Sequence, residues 1–314
     1  MRRAALGVAL LSVSLLTGAA EMEWSKATPM LQGRAAHAVV VAGKFLYVLA
    51  GTGNDGRPVL EVERYDGQAW TREATLPGHG INAPAAAVLG QRIYLIGGFD
   101  TTTNVPTAQV LVYDTSTHQW SNAAPLPRPR GGLAVAVLDG HIHAIGGGNS
   151  ESTLADHSAY DPATNQWAAL APLPRSMGSP AAVIHRGALY SVGGRSGLED
   201  FGDVWRYDRV NDRWQAGPPI PARGTAGAVS ACGSIFVFGG ESQPQSKVLA
   251  DVFRLDEATN TWLAAPPLPT ARSFARAVVY QGAIFVVGGS PEPGNSHSSA
   301  GSTAVERFDP GCRL

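Results

Sequence analysis

The chain has 314 residues, of which 37 are glycine and 22 are proline, and 44% of its residues are apolar. So many turn-forming residues argue against a mainly helical fold, whereas the apolar content is sufficient for a folded core. The formal net charge is only −1, which gives no excess of charge of the kind that binds nucleic acid or an anionic membrane.

The first 20 residues have the three parts of a secretory signal peptide. Met1-Arg2-Arg3 is a short basic region, residues 4–16 are mostly apolar, and Thr17-Gly18-Ala19-Ala20 offers small residues for cleavage. This apolar stretch is too short to cross a bilayer core of about 30 Å. We therefore predict export to the periplasm or beyond the cell, without membrane insertion, and a mature domain of residues 21–314.

An internal repeat of 46 to 50 residues fills the mature chain. One mark of the repeat is a glycine at the end of an apolar run, and the other is a tryptophan. The glycines are Gly51, Gly98, Gly147, Gly194, Gly240 and Gly289, and the tryptophans are Trp24, Trp70, Trp120, Trp167, Trp214 and Trp262. Because two residue types give the same period, we read the chain as six copies of one structural unit.

Each copy predicts four short strands. The first is small and apolar, as in residues 38–41, and the second ends in a glycine pair, as in residues 93–98. The third alternates and ends in Tyr-Asp, as in residues 110–114. The fourth begins at the tryptophan and leads into a proline-rich segment, which suits an outermost strand because proline cannot donate to a neighbouring strand.

The two ends of the repeat array predict that it closes on itself. The sixth copy stops after its third strand, at residues 305–309, whereas residues 23–30 resemble the fourth strand of another copy, residues 119–126. The N-terminal strand should therefore complete the last sheet. We predict an all-β fold, a six-bladed β-propeller with four strands per blade, which needs no second chain to cover its edges and is expected to be a monomer.

The glycine pair, the Tyr-Asp dipeptide and the tryptophan, at a period near 50, resemble the kelch repeat family over the whole mature chain. Kelch propellers include enzymes, sugar-binding proteins and protein-interaction modules. The resemblance therefore implies the fold more strongly than any one function. We expect a non-catalytic module that presents the loops of one face to a protein or glycan.

Four arginines occupy the same place in the repeat and suggest one candidate site. They lie seventeen residues before the last glycine of their copies, where the other two copies have Ile81 and Met177; the four are Arg34, Arg130, Arg223 and Arg272. One interpretation is a ring of guanidinium groups that binds a carboxylate or phosphate at the central mouth. The alternative is that these side chains pack against and hydrogen-bond to the loops of neighbouring blades.

A second candidate site is the loop that contains Glu241 and Lys247. It resembles the loop that bears the acidic and basic residues of exported kelch-type sialic acid mutarotases, with lysine where arginine is expected. The resemblance implies a cofactor-free enzyme that acts on an anionic sugar. Glu241 would move the anomeric proton and Lys247 would hold the sugar carboxylate. Catalysis of this kind is the alternative to the binding module.

The histidines and cysteines suggest little further chemistry. His141 and His143 have the spacing of a metal pair, but His143 takes the place of Tyr94 and Tyr190 in other copies, which favours a packed aromatic side chain. We expect no metal and no cofactor. The two cysteines, Cys232 and Cys312, either form a disulfide in an oxidising compartment or remain separate thiols.

Overall fold

A computed structural model describes residues 22–294 and 300–312 of the chain. The predicted signal peptide of residues 1–20 lies outside these ranges, as does His297. All helices and strands assigned in the described ranges are of one kind, β-strands. No helix long and apolar enough to span a membrane occurs in them.

Most strands have four to six residues, and six strands of two residues pair as short ladders in the loops. The first half of the chain contains β1 (Glu23–Lys26), β2 (Ala38–Ala42), β3 (Phe45–Leu49), β4 (Glu61–Tyr65), β5 (Trp70–Thr75), β6 (Ile81–Asn82), β7 (Ala85–Leu89), β8 (Arg92–Ile96), β9 (Phe99–Asp100), β10 (Val110–Asp114), β11 (Gln119–Asn122), β12 (Ala134–Leu138), β13 (His141–Ile145), β14 (His157–Asp161) and β15 (Gln166–Leu170). The second half contains β16 (Ala181–His185), β17 (Ala188–Val192), β18 (Arg195–Ser196), β19 (Glu199–Asp200), β20 (Val204–Asp208), β21 (Arg213–Ala216), β22 (Gly227–Ala231), β23 (Ser234–Phe238), β24 (Glu241–Ser242), β25 (Lys247–Val248), β26 (Val252–Asp256), β27 (Thr261–Ala265), β28 (Arg276–Tyr280), β29 (Ala283–Val287) and β30 (Val305–Asp309).

Six four-stranded antiparallel sheets form the blades, so the predicted six-bladed propeller is confirmed. In order from the innermost strand outwards, blades 1 to 6 are β2-β3-β4-β5, β7-β8-β10-β11, β12-β13-β14-β15, β16-β17-β20-β21, β22-β23-β26-β27 and β28-β29-β30-β1. The innermost strands of neighbouring blades contact each other all the way round, including β2 of blade 1 with β28 of blade 6.

The N-terminal strand closes the ring as the sequence predicts. Trp24 of β1 lies opposite Phe308 of β30 in blade 6, with their ring centroids 4.6 Å apart. The indole N–H of Trp24 donates to the carbonyl of Pro266 in blade 5 at 2.9 Å. The first strand of the chain therefore ties the last blade to its neighbour.

The glycine pairs hold neighbouring blades together. In blade 2, Gly97 and Gly98 have φ of 60° and 102°, where an L side chain is strained. A Cβ on Gly98 would lie 2.4 Å from a methyl carbon of Ile81. The N–H of Gly98 donates to the carbonyl of Arg130, in the linker to blade 3, at 3.0 Å. The repeat therefore uses glycine where one blade docks its backbone against the next.

A disulfide joins Cys232 and Cys312, with their Cα atoms 5.9 Å apart. Cys232 lies in the turn between β22 and β23 of blade 5, and Cys312 follows the last strand of the chain. Of the two arrangements that the sequence left open, the structure has the bridge.

Candidate functional site

The loops of the propeller are longer on one face than on the other. The turns between the first and second strands and between the third and fourth strands share one face. The opposite face, which we call the loop face, has the linkers between blades and the loops between second and third strands. The described residues of these loops are 50–60, 97–109, 146–156, 193–203, 239–251, 288–294 and 300–304. Binding residues concentrate on such loops when a rigid scaffold supports them.

At the centre of the loop face, one residue from each blade forms a ring around the mouth of the central channel. These six residues, the mouth ring, all have left-handed backbone conformations with φ between 50° and 59°, and they are Ala36, Ala83, Gly132, Ser179, Thr225 and Phe274. Backbone hydrogen bonds join the first five of these residues from blade to blade, as from the N–H of Ala83 to the carbonyl of Ala36 at 2.8 Å. The ring is therefore a rigid frame for the side chains around it.

Phe274 fills the mouth. It is the one large side chain among the mouth-ring residues, it is only 2% exposed, and it packs with Ala36 of blade 1 and Ala83 of blade 2. The guanidinium carbon of Arg195 lies 5.5 Å from the centre of its ring. The mouth is thus closed by an aromatic side chain with a cation beside it.

Next to Phe274, Arg195 of blade 4 forms an ion pair with Glu241 of blade 5. Each residue directly follows the glycine pair of its own blade, so the repeat itself brings them together. The Glu241 carboxylate is fully buried, and its Oε2 accepts the backbone N–H of Gly294 at 3.1 Å. The Asp200 carboxylate accepts the N–H of Gln243 at 2.7 Å, and burial raises its pKa. An acid and a cation therefore lie together at the mouth.

Lys247 is not part of this arrangement. Glu241 pairs with Val248 in the β24–β25 ladder, and Lys247 pairs with Ser242. Because successive side chains of a strand point to opposite faces, Lys247 points away from the side on which Glu241 lies, and it is exposed. The expected partnership of Glu241 with Lys247 is corrected by this register, and Arg195 is the cation that Glu241 contacts.

The four repeated arginines are packed side chains, as the alternative interpretation expected, and they do not line the mouth, but they hydrogen-bond within their own blades and not to neighbouring ones. They are between 0% and 2% exposed, and in each case a guanidinium nitrogen donates to a backbone carbonyl of the same blade; the residues are Arg34, Arg130, Arg223 and Arg272. Ile81 and Met177 are also buried at this position. The position is thus part of the core, and the interpretation as an anion-binding ring is corrected because these guanidinium groups are enclosed within their own blades.

The arginines have acidic partners that the repeat did not point out. Arg34 pairs with Glu63 at 2.9 Å, and Arg272 pairs with Glu306 at 2.7 Å. Burial lowers the pKa of both arginines, and the facing carboxylates oppose this shift. Glu63 and Glu306 occupy the same place in the third strands of blades 1 and 6, which is the sequence signal that could have found them.

Three clefts open along the rim of the loop face, each at a junction between consecutive blades. The cleft at blades 6 and 1 has a volume of about 310 Å³ and includes Leu31 and Arg57. The cleft at blades 1 and 2 has about 370 Å³ and includes His79 and Asp100. The cleft at blades 2 and 3 has about 280 Å³ and includes Val105. We call these three clefts together the rim arc.

His143 is a packed aromatic side chain, and it has a partner that the sequence analysis missed. Its Nδ1 lies 2.9 Å from Nε2 of His157, and both side chains are buried against Tyr207. Burial lowers the pKa of His143 to about 4 and that of His157 to about 3. No cluster of three or more His, Cys, Asp or Glu residues within residues 22–294 and 300–312 could hold a metal ion.

Comparisons with known proteins agree with the kelch-type propeller. The family model Attractin/LZTR1 beta-propeller matches residues 93–313, more than two thirds of the chain. Alpha-scruin of Limulus polyphemus is 33% identical over 41% of this chain and 14% of its own length. Kelch-like protein 35 of Mus musculus is 29% identical over 40% of this chain and 21% of its own length. The alignments thus span less than a quarter of either relative.

A solved structure of YjhT has the same fold. Its TM-score is 0.75, its sequence identity is 16%, and the alignment covers 89% of this chain and 95% of that chain. The kelch-type propeller predicted from the repeat is therefore confirmed by both sequence and structure.

Proposed function

Because the chain belongs to the attractin/LZTR1 β-propeller family, we propose that it is an exported, non-catalytic binding module that presents its loop face to a protein or glycan. The observation that carries this proposal is the rim arc, where three consecutive blade junctions on one face all open as clefts. Concave sites of this size, supported by a rigid scaffold, are typical of ligand and partner binding.

The side chains of the rim arc fit a macromolecular partner. Leu31 is 51% exposed and Val105 is 53% exposed, and each belongs to one of the clefts. Exposed apolar side chains in a cleft are removed from water when a partner covers them, and polar residues typically surround such an apolar centre. The neighbouring Arg57, Asp55 and Glu151 supply polar groups of both signs.

Site-specific photo-crosslinking at Val105 tests this proposal. A photoreactive residue at Val105 is expected to give a discrete adduct with a secreted or surface component. The matched control is Val210, which is 85% exposed but lies in a turn on the opposite face. A Val105→Asp change should weaken binding of the identified partner at least tenfold, whereas Val210→Asp should not. Equal adducts at both positions would contradict the proposal.

A second candidate function is mutarotation of an anionic sugar at the mouth, and the Arg195–Glu241 pair is the observation that favours it. The arginine could hold the sugar carboxylate while the glutamate moves the anomeric proton. NMR measurement of anomer exchange with carboxylated sugars tests this function. Glu241→Gln should reduce the catalysed exchange by a factor of about 10² or more. The exposed Glu151→Gln variant is the control, and an exchange rate equal to that without protein would exclude the function for the sugars used.

A further inference from the structure

The central channel contains a cation without a carboxylate partner. Arg276 begins β28, the innermost strand of blade 6. At the same place in the repeat the other five blades have small residues, and all six line the channel: Ala38, Ala85, Ala134, Ala181, Gly227 and Arg276. One blade thus places a guanidinium group where its five neighbours place a methyl group or a hydrogen atom.

The part of the protein that the structure describes provides a hydrogen-bond acceptor for only one of the three guanidinium nitrogens. Its Nε donates to the backbone carbonyl of His37 at 3.0 Å. Within residues 22–294 and 300–312, no Asp or Glu carboxylate lies within salt-bridge distance of Arg276, and its two terminal nitrogens have no hydrogen-bond acceptor. Burial lowers its pKa to about 10, so the group remains charged at neutral pH.

The surroundings add no negative charge. The ring of His37 is fully buried, and burial together with the charges of Arg276 and Arg34 holds its pKa well below the usual value. Arg34 is already paired with Glu63. Phe274 closes the loop-face end of the channel two residues before Arg276. Arg276 is half-buried and lines the channel cavity, so an anion in the channel would meet a cation that no described acidic side chain pairs.

The channel has room and further donors for that counter-ion. Its cavity is about 110 Å³, which holds one small anion and a few water molecules, since a water molecule takes about 30 Å³ of the liquid. The innermost strands are the free edges of their sheets, and free edges expose backbone N–H groups. We propose that the central channel is a binding site for one small monovalent anion of the size of chloride, held by Arg276.

Diffraction and solution measurements together test this site. Crystals of the full chain grown in sodium bromide should show an anomalous peak within hydrogen-bond distance of the Arg276 guanidinium. In solution, the unfolding temperature should rise with chloride concentration and then saturate, at constant ionic strength kept with sodium gluconate, whose anion is too large for the cavity. A specifically bound ligand stabilises the folded state in this saturable way.

Variants separate this site from general effects of salt. Arg276→Ala installs the residue found in four other blades, so it should fold, and it should lose the saturable chloride response. Arg276→Gln, which keeps most of the side-chain volume, should lose it as well. The control Arg57→Ala removes an arginine whose side chain is 84% exposed and should keep the response.

Three results would overturn the proposal. One is a channel that holds only water in the bromide crystals. Another is a chloride response that persists in both Arg276 variants. The third is a bromide peak in the crystal together with no saturable response in solution, which would show an adventitious ion only. If the variants fail to fold, the diffraction result and the chloride response of the unmodified protein together still decide the outcome.

Discussion

The buried arginines of this propeller act as parts of the blade core. Arg34 and Glu63 are both fully buried. Arg34 donates to the carbonyl of Ala50 at 3.1 Å, and Glu63 accepts the backbone N–H of Leu31 at 2.8 Å. The pair therefore joins the linker before β2, which contains Leu31 and Arg34, to the third strand of blade 1, β4, which contains Glu63. A side chain with this many internal partners is not available to a ligand.

Removing one member of this pair should destabilise the protein strongly. Arg34→Ala leaves the Glu63 carboxylate buried without its partner, which typically costs about 3–5 kcal/mol of unfolding free energy. Urea unfolding measures this loss, and Arg57→Ala, an exposed control, should change stability by less than about 0.5 kcal/mol.

Arg34→Ala can lower stability because it leaves a buried charge unpaired or because the ion pair itself stabilises the fold. A double variant that removes both charges distinguishes these two causes. Arg34→Met with Glu63→Leu replaces both charges by apolar groups, as Met177 does at the arginine position of blade 4. It should recover most of the lost stability. A double variant as unstable as Arg34→Ala would contradict this account.

At the scale of the blade, the repeat pattern in the sequence predicted the strands and their order. It did not predict the contacts that form between two loops. Strands, glycine pairs and the N-terminal closure follow from local patterns and from a fixed period. The β24–β25 ladder depends on how residues 241–248 fold back on themselves, and this register turns Lys247 away from Glu241. The Arg195–Glu241 pair joins two blades, and only superposition of the repeats brings the two residues to the same place.

The histidine pair between β13 and β14 of blade 3 is an element whose stability depends on pH. His143 and His157 are buried and neutral because burial lowers both pKa values to about 4 and 3. In the unfolded chain each imidazole has a pKa of about 6.5. As the pH falls below 6.5, the unfolded state binds protons first. The contribution to stability is therefore complete well above pH 6.5 and is lost progressively as the pH falls towards about 3.

His143→Tyr should reduce this pH dependence. Tyrosine occupies the same place in β3, β8 and β17, so the blade should accept it. Between pH 7 and pH 5 the unmodified protein should lose about 1–2 kcal/mol more unfolding free energy than the variant, because one depressed histidine pKa has been removed. Urea unfolding at the two pH values measures the difference, and His79→Tyr, in a rim cleft, is the control. Equal losses in the unmodified protein and the His143 variant would contradict the assignment.

At the scale of the whole molecule, two independent links close the propeller. Trp24 on the N-terminal strand packs on Phe308 of blade 6 and also lies 5.9 Å from Phe238 of blade 5, between ring centroids. The disulfide links the blade 5 turn at Cys232 to Cys312 at the end of blade 6. The sequence predicted the first link because residues 23–30 fit the repeat. It left the second open because residues 310–312 lie outside the repeat, and their path decides whether the two Cα atoms meet.

The disulfide should stabilise the propeller mainly by restricting the unfolded chain. The bridged residues are 80 positions apart, and closing a loop of that length reduces the entropy of the unfolded state by the equivalent of about 4.5 kcal/mol at 25 °C. The double variant Cys232→Ser with Cys312→Ser should lose about 2–4 kcal/mol of unfolding free energy, measured in urea without reductant. Both cysteines are replaced so that no single thiol remains to form intermolecular bridges.

Reductant provides the control for this prediction. It should destabilise the unmodified protein to the level of the double variant and leave the double variant unchanged. The folded propeller should keep its shape in either case, because β1 pairs with β30 and holds blade 6 without the bridge. A double variant that no longer folds would instead show that the non-covalent link at Trp24 is insufficient. Closure of the ring would then depend on the covalent link.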